Sequence, residues 1–354
     1  MMRLLLILAM SGLAMACAQA APLVQAAPDE IELFVEAVEE PQPPAKIPEQ
    51  PAALVAALKK LQEGTLDAQV KALVEKARQD MVYVEGGEFL MGDFGHLDSV
   101  EKLPYTSQPY NKPLHKVVLD SFSISKYKVT YAEYDVYTKA KGLPLLVPSE
   151  SFHAGYRKPG VPVGVAWQGA KDYCVWLGKV SKLPFALPTE AQWEYAARAR
   201  GQFLVFPTND GYYREEINVP SYATRTKLIG DAGFPLLDDG EVLGNSGFVY
   251  PVGLYPPNPL GLYDLAHNGQ DWVNDWFSED YYARSPAKNP AGPVKGTTKV
   301  LRGLDTGDKD TAMSMHRMRR MPLEPPYKRF GKMRYPTYLE ESFRCVVQHT
   351  KPLN

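Results

Sequence analysis

Apolar side chains recur at helical spacing in residues 51–80, and Gly64 interrupts them. The positions that repeat every three or four residues are Leu54, Leu58, Leu61, Leu66, Val70, Leu73 and Val74. An apolar stripe of this kind, broken by a glycine, predicts two short amphipathic helices. Such a pair either packs on the domain that follows or presents its apolar face to a partner protein.

After Asp80 the pattern changes to short apolar alternations, glycine turns and aromatic residues, and it continues to about Gln348. The stretches 129–141, 166–180 and 189–198 are predicted to be helices, the last with Thr189 as its cap. Short strands and loops account for the remainder, which predicts one α+β domain over residues 81–348. Residues 218–261 keep no sustained period, so we expect something specific, such as a bound ion, to hold them.

The N-terminal residues have the pattern of a secretory signal peptide. Residues 1–20 carry Arg3, then an apolar run, then small residues. Cleavage after Ala20 releases the chain, whereas cleavage before Cys17 leaves that cysteine for a lipid anchor. Residues 21–50 are rich in proline and glutamate, which is typical of a spacer. The sequence therefore predicts a periplasmic protein, with lipid anchoring as an open alternative.

Charge and hydropathy restrict the partners. The 354 residues have a formal net charge of −2, and 23% of them are charged. A nearly neutral chain has no field that attracts nucleic acid or anionic lipid, so neither is expected as a partner. The apolar run of the signal is too short to span a membrane. Contact with a membrane is therefore expected only through the lipid anchor.

Seven short motifs follow one another along the domain. They lie at residues 81–92, 120–130, 162–177, 187–198, 261–264 with 271–272, 302–303 and 343–344. In this order they resemble the sulfatase-modifying-factor family, which includes the formylglycine-generating enzyme. The resemblance implies a variant of the C-type-lectin-like fold, with short strands and long irregular loops.

The family's formylglycine-generating enzymes use a pair of cysteines, soon after an Arg-Gly motif, to hold copper and activate oxygen. Here Arg302-Gly303 has no cysteine after it, and the two places fall near Asp308 and Met313. A carboxylate and a thioether do not replace two thiolates, because Cu(I) selects sulfur and neither group exchanges thiols. Formylglycine generation and copper are not expected. Iron is not expected either, because no two of the six histidines lie within ten residues of each other.

Two of the chain's three cysteines lie inside the domain. Cys174 lies in a predicted helix between Tyr173 and Trp176, and Cys345 lies in an apolar run. We interpret both as small buried hydrophobic residues. A disulfide between them is the alternative, which their spacing does not exclude.

The resemblance also implies calcium, a hard cation that takes oxygen ligands from irregular loops. One family site falls on the side chain of Asp264, the carbonyls of His267 and Gly269, and Asp271, where glutamate is usual. Turn chemistry explains the two aspartates equally well. The other family site falls on Asn218, Val219, Ser246 and Phe248. Serine replaces an aspartate in this second set, and the lost charge weakens it.

Charged residues offer two further candidates. Glu190 and Glu194 lie one helical turn apart, and a cap and an ion pair with Arg198 explain them better than acid–base catalysis does. The densest basic patch is a candidate dock for an acidic partner, and it comprises His316, Arg317, Arg319 and Arg320. The alternative is that these arginines belong to the scaffold, as in the family.

Three functions follow from these observations. The first is a non-catalytic binding or inhibitory protein of the periplasm, a pseudoenzyme and, in its specific form, an immunity protein that neutralises a secreted antibacterial toxin. The second is a non-thiol oxidase or maturation enzyme with a pocket lined by Asp305, Asp308, Asp310 and His316. The third is an envelope protein that binds glycan through Tyr281 and Tyr282. We expect the first, because the thiols are missing from a segment that is otherwise present.

Overall fold

Two helices begin the part of the chain that the computed structural model describes, which comprises residues 48–146, 157–230, 249–304, 309–323, 340–349 and 351–353. Helix α1 spans Ala52–Lys60 and helix α2 spans Leu66–Gln79. The Thr65 side chain accepts a hydrogen bond from Ala68 N and caps α2. Gly64 has a φ of +76°, a conformation that glycine adopts readily, and it lies in the turn between the two helices. The predicted helix pair is therefore confirmed.

The apolar faces of α1 and α2 are buried on the rest of the domain. Leu54, Leu58 and Leu73 belong to the same core cluster as the aromatic residues of the following helices. Lys76 of α2 donates to Glu133 and to Asp80, each at 2.7 Å, although only 5% of Lys76 is exposed. A buried cation needs such partners. The pair thus packs on the neighbouring domain, as the first alternative predicts.

The helices predicted inside the domain are present, with ends shifted by one or two residues. Helix α3 is a single turn at Gly95–Asp98, and α4 spans Tyr131–Ala140, α5 spans Trp167–Ser181 and α6 spans Glu190–Ala197. Thr189 accepts from Gln192 N, and the Gln192 side chain accepts from Thr189 N. This reciprocal capping box is the predicted start of α6.

Helix α7 spans Tyr222–Gly230, inside the stretch 218–261 that we expect to be irregular, and α8 is a turn at Tyr281–Arg284. The expectation is wrong for the start of that stretch. Thr224 is fully buried, so a polar residue occupies a core position and hides the helical period. The Ser221 hydroxyl accepts from Thr224 N and caps the helix. Residues 231–248 lie outside the described part.

Short strands build three sheets in the described part of the chain. The strands are β1 Met81–Val84, β2 Gly87–Met91, β3 His115–Leu119, β4 Phe122–Ser125, β5 Phe185–Ala186, β6 Gln270–Trp276, β7 Lys299–Arg302, β8 Met318–Arg320, β9 Glu341–Ser342 and β10 Val346–Gln348. Their orders are β1-β4-β10-β5, β2-β3 and β8-β7-β6-β9. The pairings are antiparallel except for β6 with β9. This mixture confirms the predicted α+β class.

A disulfide joins Cys174 of α5 to Cys345, the residue before β10. Both residues are buried, with at most 1% of either exposed. Their burial is confirmed, but the interpretation as free hydrophobic side chains is wrong, and the disulfide alternative is correct. The two residues are 171 positions apart, so only the packing of α5 beside the sheet brings their Cα atoms to 5.8 Å.

The predicted signal peptide, Cys17 and nearly all of the predicted spacer lie outside the described residues. None of the helices within the described ranges combines the length and the apolar character that crossing a membrane requires. Export and lipid anchoring at Cys17 therefore stay predictions.

Candidate functional site

The place of the family's thiols follows strand β7. Asp305 and Asp308 lie outside the described residues, and Met313 follows a 3-10 turn at Lys309–Ala312. The two cysteines inside the domain are joined to each other, and the third, Cys17, precedes the domain. No free thiol is therefore present in the domain, as the sequence predicts for this segment.

A buried ion-pair network lies beside this segment, and it comprises Glu190, Glu194, Arg198, Arg302 and Arg317. At most 1% of each residue is exposed. Arg302 bridges the two carboxylates of α6, at 3.0 Å from Glu190 and 3.0 Å from Glu194. Arg317 pairs with Glu190 through two nitrogens, at 2.6 and 3.0 Å. Arg198 pairs with Glu194 at 2.9 Å.

The network joins several segments of the chain. Arg302 donates to the carbonyl of Ser314, and Arg317 donates to the carbonyl of Tyr110 at 2.7 Å. The Arg317 guanidinium also lies 4.2 Å from the centre of the Tyr282 ring, a cation–π distance. These bonds fix the chain that follows β7 against α6, so the main role of the network is to hold that segment in place.

Glu190 and Arg302 favour their charged forms in this network. Burial alone would raise the pKa of Glu190, but Arg317 and Arg302 outweigh it and hold that pKa below the usual value. Burial alone would lower the pKa of Arg302, but the nearby Glu194 carboxylate outweighs burial and raises that pKa above its usual value. A carboxylate that stays ionised against two guanidiniums is a poor acid–base catalyst. The ion pair between Glu194 and Arg198 is confirmed, whereas the partners of Glu190 are Arg302 and Arg317.

The predicted basic patch is not a single surface. Arg317 is fully buried in the network, so its assignment to a partner dock is wrong. Arg319 and Arg320 are partly exposed, and they pair with Glu279 at 2.8 Å and with Glu341. His316 is half-buried. Partner binding through His316, Arg319 and Arg320 stays a prediction. The guanidiniums of Arg319 and Arg320 already have acidic neighbours within the chain.

The first predicted calcium set surrounds the turn before β6. Asp264 accepts from Gly253 N at 2.9 Å and from the Asn268 side chain at 3.3 Å. The His267 ring bonds to the Tyr250 hydroxyl at 2.6 Å. Burial, together with nearby cationic residues, lowers the pKa of His267 to about 3, so the ring is neutral.

Asp271, the fourth residue of this set, faces two cationic side chains and a tryptophan. One carboxylate oxygen lies 3.0 Å from the Lys128 ammonium, and the other accepts from Arg344 at 2.8 Å and from Trp193 at 3.0 Å. Burial alone would raise the pKa of Asp271, but Arg344 and Lys128 hold it below the usual value. A carboxylate that already faces two cations does not fit a calcium ligand. Among the described residues no three His, Cys, Asp or Glu side chains form a metal-binding group.

The second predicted calcium set is only partly described. Asn218 is buried, its oxygen accepts from Arg214 N at 2.9 Å, and its nitrogen donates to Asp210 at 3.0 Å. The carbonyl of Val219 accepts from Glu216 N at 2.7 Å. Ser246 and Phe248 lie outside the described residues. Calcium at this set therefore stays a prediction.

The aromatic residues proposed for glycan binding are not on the surface. Tyr281 is 7% exposed and Tyr282 is 2% exposed. The Tyr282 hydroxyl donates to Glu190 at 3.3 Å, and its ring lies tilted against the His115 ring, with ring centres 4.6 Å apart. The prediction that these two residues form a glycan surface is therefore wrong, because both side chains of helix α8 are buried in the domain.

The sequence does not predict that a buried lysine, Lys299, lies between two tryptophans. The Lys299 ammonium lies 3.8 Å from the ring centres of both Trp167 and Trp276. Burial, with a smaller contribution from Lys171, lowers the pKa of Lys299 to about 8. Burial and the charge of Glu190 raise the pKa of Asp275 to about 8. Aromatic residues flanking a lysine are too common in sequence to reveal such a sandwich.

The comparisons with known proteins agree with this geometry. The sequence model described as "Sulfatase-modifying factor enzyme 1-like domain" matches residues 68–329. The serine/threonine-protein kinase pkn1 of Chlamydia pneumoniae is 32% identical over 264 residues, which are 69% of this chain and 36% of the kinase. This chain thus spans about a third of the length of that relative.

Two further relatives match over nearly their whole length. The formylglycine-generating enzyme of Streptomyces coelicolor is 30% identical over 313 residues, which are 77% of this chain and 90% of the enzyme. The solved structure of PvdO from Pseudomonas aeruginosa is 26% identical and has a TM-score of 0.53, covering 76% of this chain and 94% of PvdO. On these matches, the chain belongs to the sulfatase-modifying factor enzyme 1-like family, in which the formylglycine-generating enzymes are its homologues.

Proposed function

We propose that this chain is a binding protein of an oxidising compartment outside the cytoplasm, built on the formylglycine-generating scaffold but without thiol chemistry. The observation that carries the proposal is the state of the cysteines. The segment between Arg302 and Cys345 contains no cysteine, and Cys345 forms a buried disulfide with Cys174. The domain therefore offers no pair of thiolates at which copper could bind and oxygen could be activated.

The disulfide also supports the proposed location in an oxidising compartment. Such bonds persist in oxidising surroundings, such as the bacterial periplasm, and are rare in reducing cytosol. This agrees with the signal-like residues 1–20. A finer form of the proposal is that the chain is an immunity protein that neutralises a secreted antibacterial toxin.

A surface suited to protein binding is formed by two neighbouring segments, the loop at residues 94–105 with its single-turn helix α3 and the loop at residues 201–221. Phe94 of the first loop stacks on Phe203 of the second, with ring centres 4.7 Å apart. Large apolar side chains with between 41% and 91% of their surface exposed project from these loops, and they are Leu97, Val100, Leu103, Phe203, Tyr212 and Ile217. Exposed apolar residues grouped on ordered loops are typical of interaction sites.

The first experiment tests the missing chemistry. The purified chain is incubated with a cysteine-containing sulfatase peptide, copper and oxygen, and mass spectrometry measures conversion of the cysteine to formylglycine. The Streptomyces coelicolor enzyme serves as positive control. We expect no conversion by the chain. Conversion above the peptide-only background contradicts the proposal.

The second experiment tests the surface. A charge at Val100, which is 91% exposed, is compared with a charge at Val294, which is 99% exposed and lies outside the two loops. We expect Val100→Glu with Leu103→Glu to abolish retention of an envelope partner by the immobilised protein, while Val294→Glu retains it. Equal retention by both variants excludes this surface. For the finer form, a deletion strain is expected to become sensitive to the toxin, and complementation with the V100E/L103E gene is expected to fail.

A further inference from the structure

The turn that the family uses for calcium contains an internal cation in this chain. Lys128 precedes α4, is 1% exposed, and places its ammonium 3.0 Å from Asp271 Oδ1. The same ammonium interacts electrostatically with Asp264, the other carboxylate of the family set. An ammonium and a hard metal ion both compensate the charge of a buried carboxylate, and here the ammonium lies next to Asp271 Oδ1, where a metal ion bound to that oxygen would have to lie.

We propose that Lys128 replaces the calcium ion at this site, so that the turn at residues 264–271 folds without a metal ion there. The inference rests on the ligand set implied by the family and is independent of the proposed binding function. It concerns this site only, and not the set at Asn218 and Val219.

The cations beside Asp271 support the replacement. The Lys128 ammonium lies 3.0 Å from one carboxylate oxygen of Asp271, and Arg344 donates to the other oxygen at 2.8 Å. At most 1% of each of these three residues is exposed. A divalent ion bound to Asp271 would lie beside two buried cationic groups, which is strongly unfavourable.

The turn is also ordered by bonds that need no ion. Asn268 accepts from Tyr250 N at 2.9 Å and donates to Tyr250 O at 3.0 Å, so the turn is tied to the preceding loop. Gly269 has a φ of +82°, and a Cβ at this position would meet the carbonyl of Glu340 at 2.5 Å. The backbone is thus packed directly against another segment. The ordering that a calcium ion gives to a loop is supplied here by packing and hydrogen bonds.

The test compares melting temperatures of the full chain in chelator and in calcium chloride. Lys128→Gln removes the ammonium and leaves two carboxylates beside the carbonyls of the turn. We expect this variant to become stabilised by calcium, by about 5 °C at a calcium concentration 100 times its Kd. Lys128→Arg keeps the charge and should respond as the wild type does. Lys299→Gln, which removes another buried lysine, should be destabilised without gaining a calcium response.

Asp264→Ala decides whether the wild-type chain binds calcium at this site, because it removes both side-chain oxygens of a predicted ligand. We expect the number of calcium ions bound per chain, measured by equilibrium dialysis, to be the same in wild type and D264A. A loss of one bound ion in D264A overturns the inference, and so does a K128Q variant that folds but gains no calcium response. If K128Q does not fold in either solution, the dialysis of wild type and D264A gives the answer.

Discussion

The disulfide between Cys174 and Cys345 should be a main source of the domain's stability. Replacing both cysteines with alanine opens a loop of 171 residues. Loop-closure entropy for that length corresponds to about 5 kcal/mol at 25 °C, and native strain usually reduces the measured value, so we expect a loss of about 2–5 kcal/mol. The two residues lie in the core beside Tyr173 and Phe343, so the lost sulfur atoms add a packing penalty in the same direction.

The assay is urea unfolding followed by tryptophan fluorescence, in parallel with thiol titration of the denatured protein. In protein expressed with residues 1–20 retained, two of the three cysteines are paired, so one thiol should react before reduction and three after it. Each single alanine variant should lose nearly as much stability as the double variant, because either change breaks the same bond. Cys17→Ser is the control and should leave the unfolding free energy unchanged.

Two results would refute this reasoning. One is a free energy of unfolding in the double variant within about 1 kcal/mol of the wild type, which is below the range expected for a long loop. The other is a set of single-variant losses that add up to the double-variant loss, because independent side chains add and partners in one bond do not.

Three further predictions concern the buried charges. Arg302→Met should lower the free energy of unfolding by about 3–5 kcal/mol, because it leaves Glu190 and Glu194 short of a partner; a loss below 1 kcal/mol in urea unfolding contradicts this. The folded-state pKa of Asp275 lies at about 8, above its ordinary 3.8, so stability should fall as pH rises between these values. Asp275→Asn should remove that fall in stability. A variant whose stability depends on pH as the wild type does contradicts this prediction. The folded-state pKa of Lys299 lies at about 8, below 10.5, so stability should rise between these values, and Lys299→Met should flatten that rise in the same pH series.

Local features of the fold are predictable because they depend on neighbouring residues. The helix pair at residues 51–80 follows from leucine spacing, and the start of α6 follows from Thr189 and its capping box. The short helix α7 escapes prediction, because Thr224 takes a buried position that an apolar residue would normally mark. Periodicity detects a helix only when its buried face is apolar.

The candidate site is less predictable, because its residues are far apart along the chain. The sequence identifies Glu190, Glu194 and the Arg-Gly motif, but it does not reveal that Arg302 bridges both carboxylates or that Arg317 is buried with them. A cluster of arginines is usually solvated, so a surface patch is the natural interpretation. Only the arrangement of α6, β7 and the segment after it supplies the carboxylates that make their burial possible.

The sequence by itself determined the family, the α+β class and the lack of a thiol pair, because ordered motifs and residue identity do not depend on packing. The tertiary structure determined the burial and the bonding partners of the remaining charged and sulfur-containing residues. It joined Cys174 to Cys345, and it placed Lys128 against Asp271 where the resemblance suggests a metal ion. The physical reason is that a buried charge or thiol is defined by its partner, and in this fold the partners are brought together by packing rather than by sequence proximity.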